Sequence, residues 1–205
     1  MHLTRWVYYV DFFVYPAVLL VLTATALWVI PFDAWLAWVS AAAAGLAAWT
    51  LVEYVAHRLF LHHLPVLAAM HDEHHRRPSA MIGTPIWISG ALLGGAFLLL
   101  WPLLGPGLAS GASAGLVAGY LWYVVVHHVS HHARPAPASY LYRAKRRHGL
   151  HHHGRRPGNF GVTTPFWDHV FRTAVAGAGP GRPRPGDDRR ADRRAGLEAT
   201  ASPSA

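Results

Sequence analysis

Residues 35–63 read WLAWVSAAAAGLAAWTLVEYVAHRLFLHH, a long apolar run that leads directly into histidines at positions 57, 62 and 63. As a helix, the apolar part up to Leu61 would be about 40 Å long at about 1.5 Å per residue. The hydrocarbon core of a bilayer is only about 30 Å thick. We therefore expect the last turns of this helix to leave the lipid and to carry His57 and His62 into water.

Three further apolar stretches approach or exceed the length of a membrane-spanning helix, at about residues 10–30, 85–104 and 111–129. The chain is only 14% charged, whereas soluble domains carry about 25% charged residues. Buried helices of a soluble protein are the alternative, but four such segments would leave little polar sequence to cover them. The sequence thus predicts an all-α fold, a bundle of four transmembrane helices.

Lys and Arg are unequally distributed between the loops. Segments 31–35 and 105–113 contain neither, and the basic residues near the other helix ends lie on the opposite side. By the positive-inside rule that side is cytosolic, which places both termini and a histidine-rich metal cap in the cytosol. The net charge of +8 follows this topology, so we predict no nucleic-acid partner. We expect an integral protein of a bacterial inner membrane.

The domain prediction is one membrane domain over residues 1–176, followed by a disordered tail over residues 177–205. The tail is rich in Gly, Pro, Arg, Asp and Ala and has few residues able to form a core. We expect no signal peptide, because the first apolar run is too long and lacks a small-residue cleavage site. The chain has no cysteine, which excludes disulfides and thiolate metal sites.

Fourteen of the sixteen histidines lie in four clusters between His57 and His153. Two clusters, His71-Asp-Glu-His74-His75 and His148-Gly-Leu-His151-His152-His153, share the form His-x-x-His-His. Residues three and four apart lie on one face of a helix, so each trio can turn towards one site, with His153 rotated away. Histidine binds metals through a neutral ring nitrogen, and the set exceeds what one ion can use. We predict two metal ions.

The other two clusters are less clear from spacing. His127 with His131, and His128 with His132, share a helix face equally well. His57 and His62 are five residues apart, so they must splay, bind different ions, or lie where the helix frays. His63 is expected to be exposed or next to the ligands.

All-nitrogen ligation suits zinc, iron, copper or nickel. Zinc would indicate hydrolysis, and a zinc-dependent membrane lipid hydrolase or a histidine-rich metal-binding protein are alternatives of another class. However, no His-Glu-x-x-His or His-x-x-Glu-His protease motif is present. Iron would indicate oxygen activation on a lipid that enters from the bilayer, and we favour it.

The ordered motifs resemble the fatty acid hydroxylase/sterol desaturase superfamily of membrane di-iron oxygenases. The matching segments lie within residues 53–173 and end in Asn159-Phe-Gly-Val-Thr-Thr-Pro-Phe-Trp-Asp168 and the residues after it. The resemblance implies ten metal ligands and resolves the third cluster. The implied ligands are His57, His62, His71, His74, His75, His127, His131, His148, His151 and His152. It makes His128, His132 and His153 near neighbours, and Glu53, Asp72 and Asp168 candidate acceptors for imidazole N–H groups.

The resemblance also implies the reaction: hydroxylation, or desaturation, of a C–H bond in a fatty acyl or related lipid. Two iron ions would be the cofactor, with zinc able to replace them in isolated protein, and O₂ the co-substrate. Electrons would come from a separate ferredoxin or cytochrome, because the sequence shows no cysteine, nucleotide loop or haem domain. The short interval between His62 and His71 also resembles beta-carotene hydroxylases, so carotenoid hydroxylation is the alternative.

Overall fold

The computed structural model describes residues 4–154 and 156–176, and every regular element in them is helical. This confirms the predicted all-α class, whereas the predicted tail, 177–205, lies outside the described residues. A 3₁₀ turn, Phe32–Ala34, precedes α3, and a π-helical turn, Ala56–Leu61, follows it. The α-helices are α1 (Arg5–Tyr9), α2 (Asp11–Val29), α3 (Trp35–Val55), α4 (Pro65–Arg76), α5 (Ile86–His132), α6 (Tyr140–His153) and α7 (Phe166–Val170).

Three helical segments in the described chain are long and apolar enough to cross a membrane: Arg5–Val29, Phe32–Leu61 and Ile86–His132. The sequence predicted four, and the difference lies in α5. Its 47 residues would extend about 70 Å if straight, but Gly105 interrupts it with φ 75° and ψ 163°. Glycine reaches this region at no steric cost because it lacks a Cβ. The helix therefore consists of two arms, residues 86–104 and 106–132.

The two arms of α5 lie against each other. Leu93 of the first arm belongs to the same buried cluster as Leu116 and Val117 of the second. Closer to Gly105, Phe97 of the first arm and Ser113 of the second line one cavity. Pairs of residues thus approach each other symmetrically about Gly105, so the chain reverses direction there.

The second arm of α5 packs closely on α3 through a row of glycines four residues apart. A Cβ added to Gly111 would lie 2.6 Å from the carbonyl oxygen of Trp38, and one added to Gly115 would lie 1.9 Å from that of Ala42. Neither distance is sterically possible. Small residues permit such approach between helices in lipid, where packing contributes much of the association energy. This contact holds the end of α3 beside the end of α5.

Helices α4 and α6 are short and amphipathic, and they carry histidines at the ends of the apolar helices. Pro65 begins α4 at a position where its missing N–H costs nothing. The Ser139 hydroxyl caps α6 by accepting from the Tyr142 amide at 3.1 Å. Lys145 then donates to two carbonyl oxygens near the end of α5, Ser130 and Ala133, each at 2.9 Å. These bonds fix α6 against the last turn of α5.

Candidate metal centre

The structure brings nine of the ten predicted ligands together in two adjacent groups of ring nitrogens. Within each group the possible ligand atoms lie within 4.8 Å of one another. The first group, called here the five-histidine group, contains His57, His62, His71, His75 and His151. The second, the four-histidine group, contains His74, His131, His148 and His152.

The tenth histidine and one ring stack connect the groups. His127 Nε2 lies 3.1 Å from His74 Nε2, which places it beside the four-histidine group. The rings of His75 and His152, one from each group, stack with centroids 4.1 Å apart and planes at 13°. The π-helical turn after α3 and helices α4, α5 and α6 therefore all contribute histidines to one centre.

A π-helical turn explains the five-residue spacing of His57 and His62. Both rings point the same way, with centroids 5.4 Å apart and planes at 15°, and both belong to the five-histidine group. In a π-helix the hydrogen bond joins residues five apart, so residues at this spacing lie on one face. The two side chains therefore neither splay nor lie in a frayed helix end. Such turns often occur at functional sites.

The third cluster divides as the resemblance implied and as spacing alone could not decide. His131 Nε2 lies 2.8 Å from His148 Nε2, inside the centre. His128 and His132 stack on each other away from it, and Tyr8 hydroxyl lies 3.0 Å from His128 Nδ1.

Two remaining histidines lie at the edge of the centre. His63 is exposed, with its Nδ1 3.0 Å from the Arg58 carbonyl oxygen. His153 is also exposed, although it directly follows His152. Neither belongs to one of the two groups.

Backbone carbonyl groups set the orientation of two rings. His57 Nδ1 lies 2.6 Å from the Phe160 oxygen, and His151 Nδ1 lies 2.9 Å from the Gly158 oxygen. A carbonyl oxygen can only accept, so each Nδ1 carries the proton and each Nε2 presents its lone pair to the centre. Asn159 lies between the two carbonyls with φ 55°, a region that asparagine tolerates better than most residues.

The structure corrects the expected role of Glu53. Its carboxylate accepts from the amides of Val162 and Thr163, at 2.6 and 2.9 Å, and from the Thr163 hydroxyl at 2.6 Å. It therefore binds the loop of residues 158–163 and no imidazole. A buried carboxylate needs such partners because desolvation is costly.

Asp168 has the same corrected role. It accepts from the amides of Phe160 and Gly161 at 2.9 and 2.8 Å, and from the Thr173 hydroxyl at 2.7 Å. Asp168 and Glu53 thus hold the loop whose carbonyls orient two histidines. Asp72, the third predicted acceptor, is exposed. Backbone carbonyls leave no signature in sequence, so the acceptors themselves could not be found there.

Burial disfavours the charged form of the histidines on α4 and α6. Burial, with a smaller contribution from neighbouring imidazoles, lowers the pKa of His74 and His75 to about 4. Burial also lowers the pKa of His151 to about 3, although its bond to Gly158 opposes the shift. Ring nitrogens lie close together, as between His57 Nε2 and His71 Nε2 at 3.0 Å. Nitrogens this close can bind one cation, so the residues fit metal ions that accept nitrogen ligands.

An apolar cavity of about 140 Å³ opens beside the five-histidine group. His57 lines one part of it, and the rest is mainly apolar, including Phe60, Leu61, Ile88 and Leu92. The cavity lies between the end of α3 and the first arm of α5. Its lining suits a hydrocarbon chain.

Comparison with known proteins agrees with this geometry. A sequence model of the family described as fatty acid hydroxylase matches residues 42–173. The chain is 32% identical to a fatty acid 2-hydroxylase of Macaca fascicularis over 143 residues, which is 64% of this chain and 38% of that protein. It is 33% identical to the ceramide very long chain fatty acid hydroxylase scs7 of Schizosaccharomyces pombe over 144 residues, or 63% of this chain and 40% of that protein.

A solved structure is also similar, described as full-length scs7p with only the hydroxylase domain visible. The TM-score is 0.72 at 27% identity, and the match covers 88% of this chain and 70% of that one. By contrast, the match spans only 38% of the Macaca fascicularis protein and 40% of the Schizosaccharomyces pombe protein, well under half of each. The relatives reported come from mammals, plants and yeasts, so they give no support to the expected bacterial inner membrane.

Proposed function

This chain belongs to the fatty acid hydroxylase family, and on that premise we propose that it hydroxylates a C–H bond of a fatty acyl lipid with O₂. The observation that carries the proposal is the pair of adjacent neutral imidazole groups beside an apolar cavity. The relatives are named as fatty acid or ceramide hydroxylases. A fatty acyl chain is therefore preferred to a carotenoid as substrate.

The two groups would hold two metal ions, with iron as the working metal. The five-histidine group would hold one ion, and the four-histidine group together with His127 would hold the other. When bound, the iron ions supply the redox chemistry that activates O₂. Zinc generally binds such sites more tightly than ferrous iron, so it is expected in protein purified without added iron.

The residues of the chain supply orientation and exclusion of water. The loop of residues 158–163, held by Glu53 and Asp168, fixes the rings of His57 and His151. Such supporting contacts typically change metal affinity or activity by about 10- to 100-fold. The apolar cavity admits the acyl chain and keeps water from the reacting carbon. The reaction consumes one O₂, two electrons and two protons and yields a hydroxyl group and water, so a separate electron donor is needed.

We also propose four membrane crossings, with the metal centre and both termini cytosolic. Supporting this, α5 reverses at Gly105, and the loops at that end of the bundle lack Lys and Arg. The chain has no cysteine, so single cysteines can be labelled cleanly. Cysteine at Leu103, which is exposed near the reversal, should react only from outside, and cysteine at exposed Ala136 only from the cytosol. Labelling of both from one side would contradict four crossings.

Lipid analysis of cells with and without the protein tests the function. We expect acyl lipids that gain one oxygen, and growth under ¹⁸O₂ should place the label in the new hydroxyl group. His151→Ala should abolish the product, whereas His153→Ala, a neighbouring exposed histidine, should retain it. A loss of two hydrogens would indicate desaturation. Product formed without O₂ or reductant would instead indicate a hydrolase.

A further inference from the structure

Resting on the proposed function, we propose that Asp11 binds the polar end of the lipid substrate. It would select lipids whose polar group is an uncharged hydrogen-bond donor, an amide N–H or a hydroxyl, over lipids that end in a free carboxylate. Asp11 lies at the first residue of α2, and neither the histidine motifs nor the loop of residues 158–163 includes it.

Asp11 is buried, and only one of its two carboxylate oxygens has a hydrogen-bond partner among the described residues. The residue is 6% exposed. Oδ2 accepts from the Tyr120 hydroxyl at 2.5 Å. Oδ1 is also buried, yet it has no hydrogen-bond partner among the described residues. A buried acceptor without a partner is destabilising, so a ligand that donates to Oδ1 would recover stability.

Asp11 lines a cavity that also reaches the metal centre. This small polar cavity, of about 40 Å³, is lined by Asp11, Tyr8, Thr84, Tyr123 and His127 among others. His127 is the proposed ligand beside the four-histidine group. A lipid group bound at Asp11 would therefore lie in the same space as one edge of the centre.

The polar cavity and the apolar cavity are neighbours that share lining residues. Thr84 and Tyr123 line the polar cavity, the apolar cavity, and a third that lies between them against His71 and His74. The polar cavity contributes the acceptor Asp11, the third cavity contributes histidines, and the apolar cavity contributes apolar walls. An amphiphile with its polar end at Asp11 and its chain in the apolar cavity would present the carbons between them to the histidines.

The charges around Asp11 favour a neutral donor. The described residues that line the polar cavity include no Lys or Arg. A free carboxylate would thus meet another carboxylate without a cation to neutralise it, in a region where like charges repel strongly. An amide or hydroxyl would donate to Oδ1 without this repulsion. Specificity of this kind combines an attractive and a repulsive element.

Binding of three lipids with the same chain tests the proposal: hexadecanamide, hexadecanol and hexadecanoic acid. Affinities are measured with metal-loaded protein in nanodiscs, with empty nanodiscs correcting for partition. The wild type should bind the amide and the alcohol more tightly than the acid. Asp11→Leu should weaken both neutral lipids by about tenfold, or about 1.4 kcal/mol, without weakening the acid. Asp11→Asn keeps an acceptor and should bind the acid about tenfold more tightly.

Tyr120→Phe is the matched control, because it breaks the same hydrogen bond but keeps the carboxylate. It should retain the preference for neutral lipids. Equal weakening of all three lipids by Asp11→Leu, or loss of the preference in Tyr120→Phe, would show a purely structural role and overturn the proposal. If Asp11→Leu does not fold, the response of Asp11→Asn to the acid decides. The two proposals can fail separately. If lipid binding in nanodiscs depends on Asp11 but cells that contain the protein make no hydroxylated lipid, this site stands and the proposed function fails.

Discussion

His57 and His62 lie on one face of a π-helical turn, with their rings nearly parallel and 5.4 Å between centroids. The turn contains one residue more than an α-helix needs to align two side chains, because residues four apart already share a face there. The extra residue is accommodated by a π-helical turn in place of an α-helical one, so both histidines still point at the five-histidine group.

This relationship predicts different effects of adding and removing one residue. Deletion of the exposed Leu59 would leave the histidines four apart, aligned by an ordinary α-helix. Insertion of an alanine after Leu59 would place them six apart and turn them away from each other. We expect the deletion to retain most of the metal bound per chain and the insertion to lose about one ion. Equal losses, measured by elemental analysis, would contradict the role of the turn.

Asp168→Asn should weaken metal retention although Asp168 touches no imidazole. The new amide N–H₂ would face a backbone N–H of the loop, which releases the carbonyls that orient His57 and His151. The expected loss in affinity is about 10- to 100-fold, measured by competition with a chelator. Asp72→Asn is the control, because Asp72 is exposed beside the ligand His71. A comparable loss in both variants would argue against support through the loop.

Gly115→Ala should destabilise the bundle. Its methyl group would lie 1.9 Å from the Ala42 carbonyl oxygen, so the two helices must separate. Overpacking of this kind costs about 1–3 kcal/mol, and the thermal midpoint in detergent should fall. Gly95→Ala in the first arm of α5 meets nothing within 4 Å and should be neutral or slightly stabilising. Identical midpoints for the two variants would show that the close approach is absent in solution.

Metal-free protein should lose stability as the pH falls from about 6.5 towards 4. The pKa of His75 is lowered from 6.5 to about 4, so in this window the unfolded chain binds a proton that the folded chain excludes. Stability therefore rises with pH between these values, and His74 acts in the same direction. Thermal midpoints across this range measure the slope. His75→Ala should flatten it and His63→Ala should not, and the reverse order would refute the assignment.

Docking of the protein electron donor should depend on exposed arginines in and after α6. Among the basic residues of α6, Lys145 bonds the end of α5, and two nitrogens of Arg147 are buried. Arg146 and Arg156 are exposed, and reversing both to Glu should slow turnover with an acidic protein donor at low salt. Turnover with a small chemical reductant is the control and should persist. An unchanged rate and salt dependence with the protein donor would exclude docking there.

Much of the architecture and the candidate site could be predicted from sequence because each relevant pattern is local. Apolar length predicted the membrane-type helices, and His-x-x-His-His spacing predicted shared helix faces for the trios at 71–75 and 148–153. These inferences need only the rise and period of a helix. For the same reason they could not choose between His127 and His128, which differ only in the direction they face.

Tertiary structure decided what depends on contacts between distant segments. Two helices that the sequence predicted separately form the two arms of α5, which meet at Gly105. The π-helical turn aligns His57 with His62. The acceptors for His57 and His151 are the carbonyls of Phe160 and Gly158, which lie 103 and 7 residues away along the chain. A backbone carbonyl is present at every position, so residue type cannot reveal which one accepts a hydrogen bond. Only the folded path of the chain brings that oxygen to the ring.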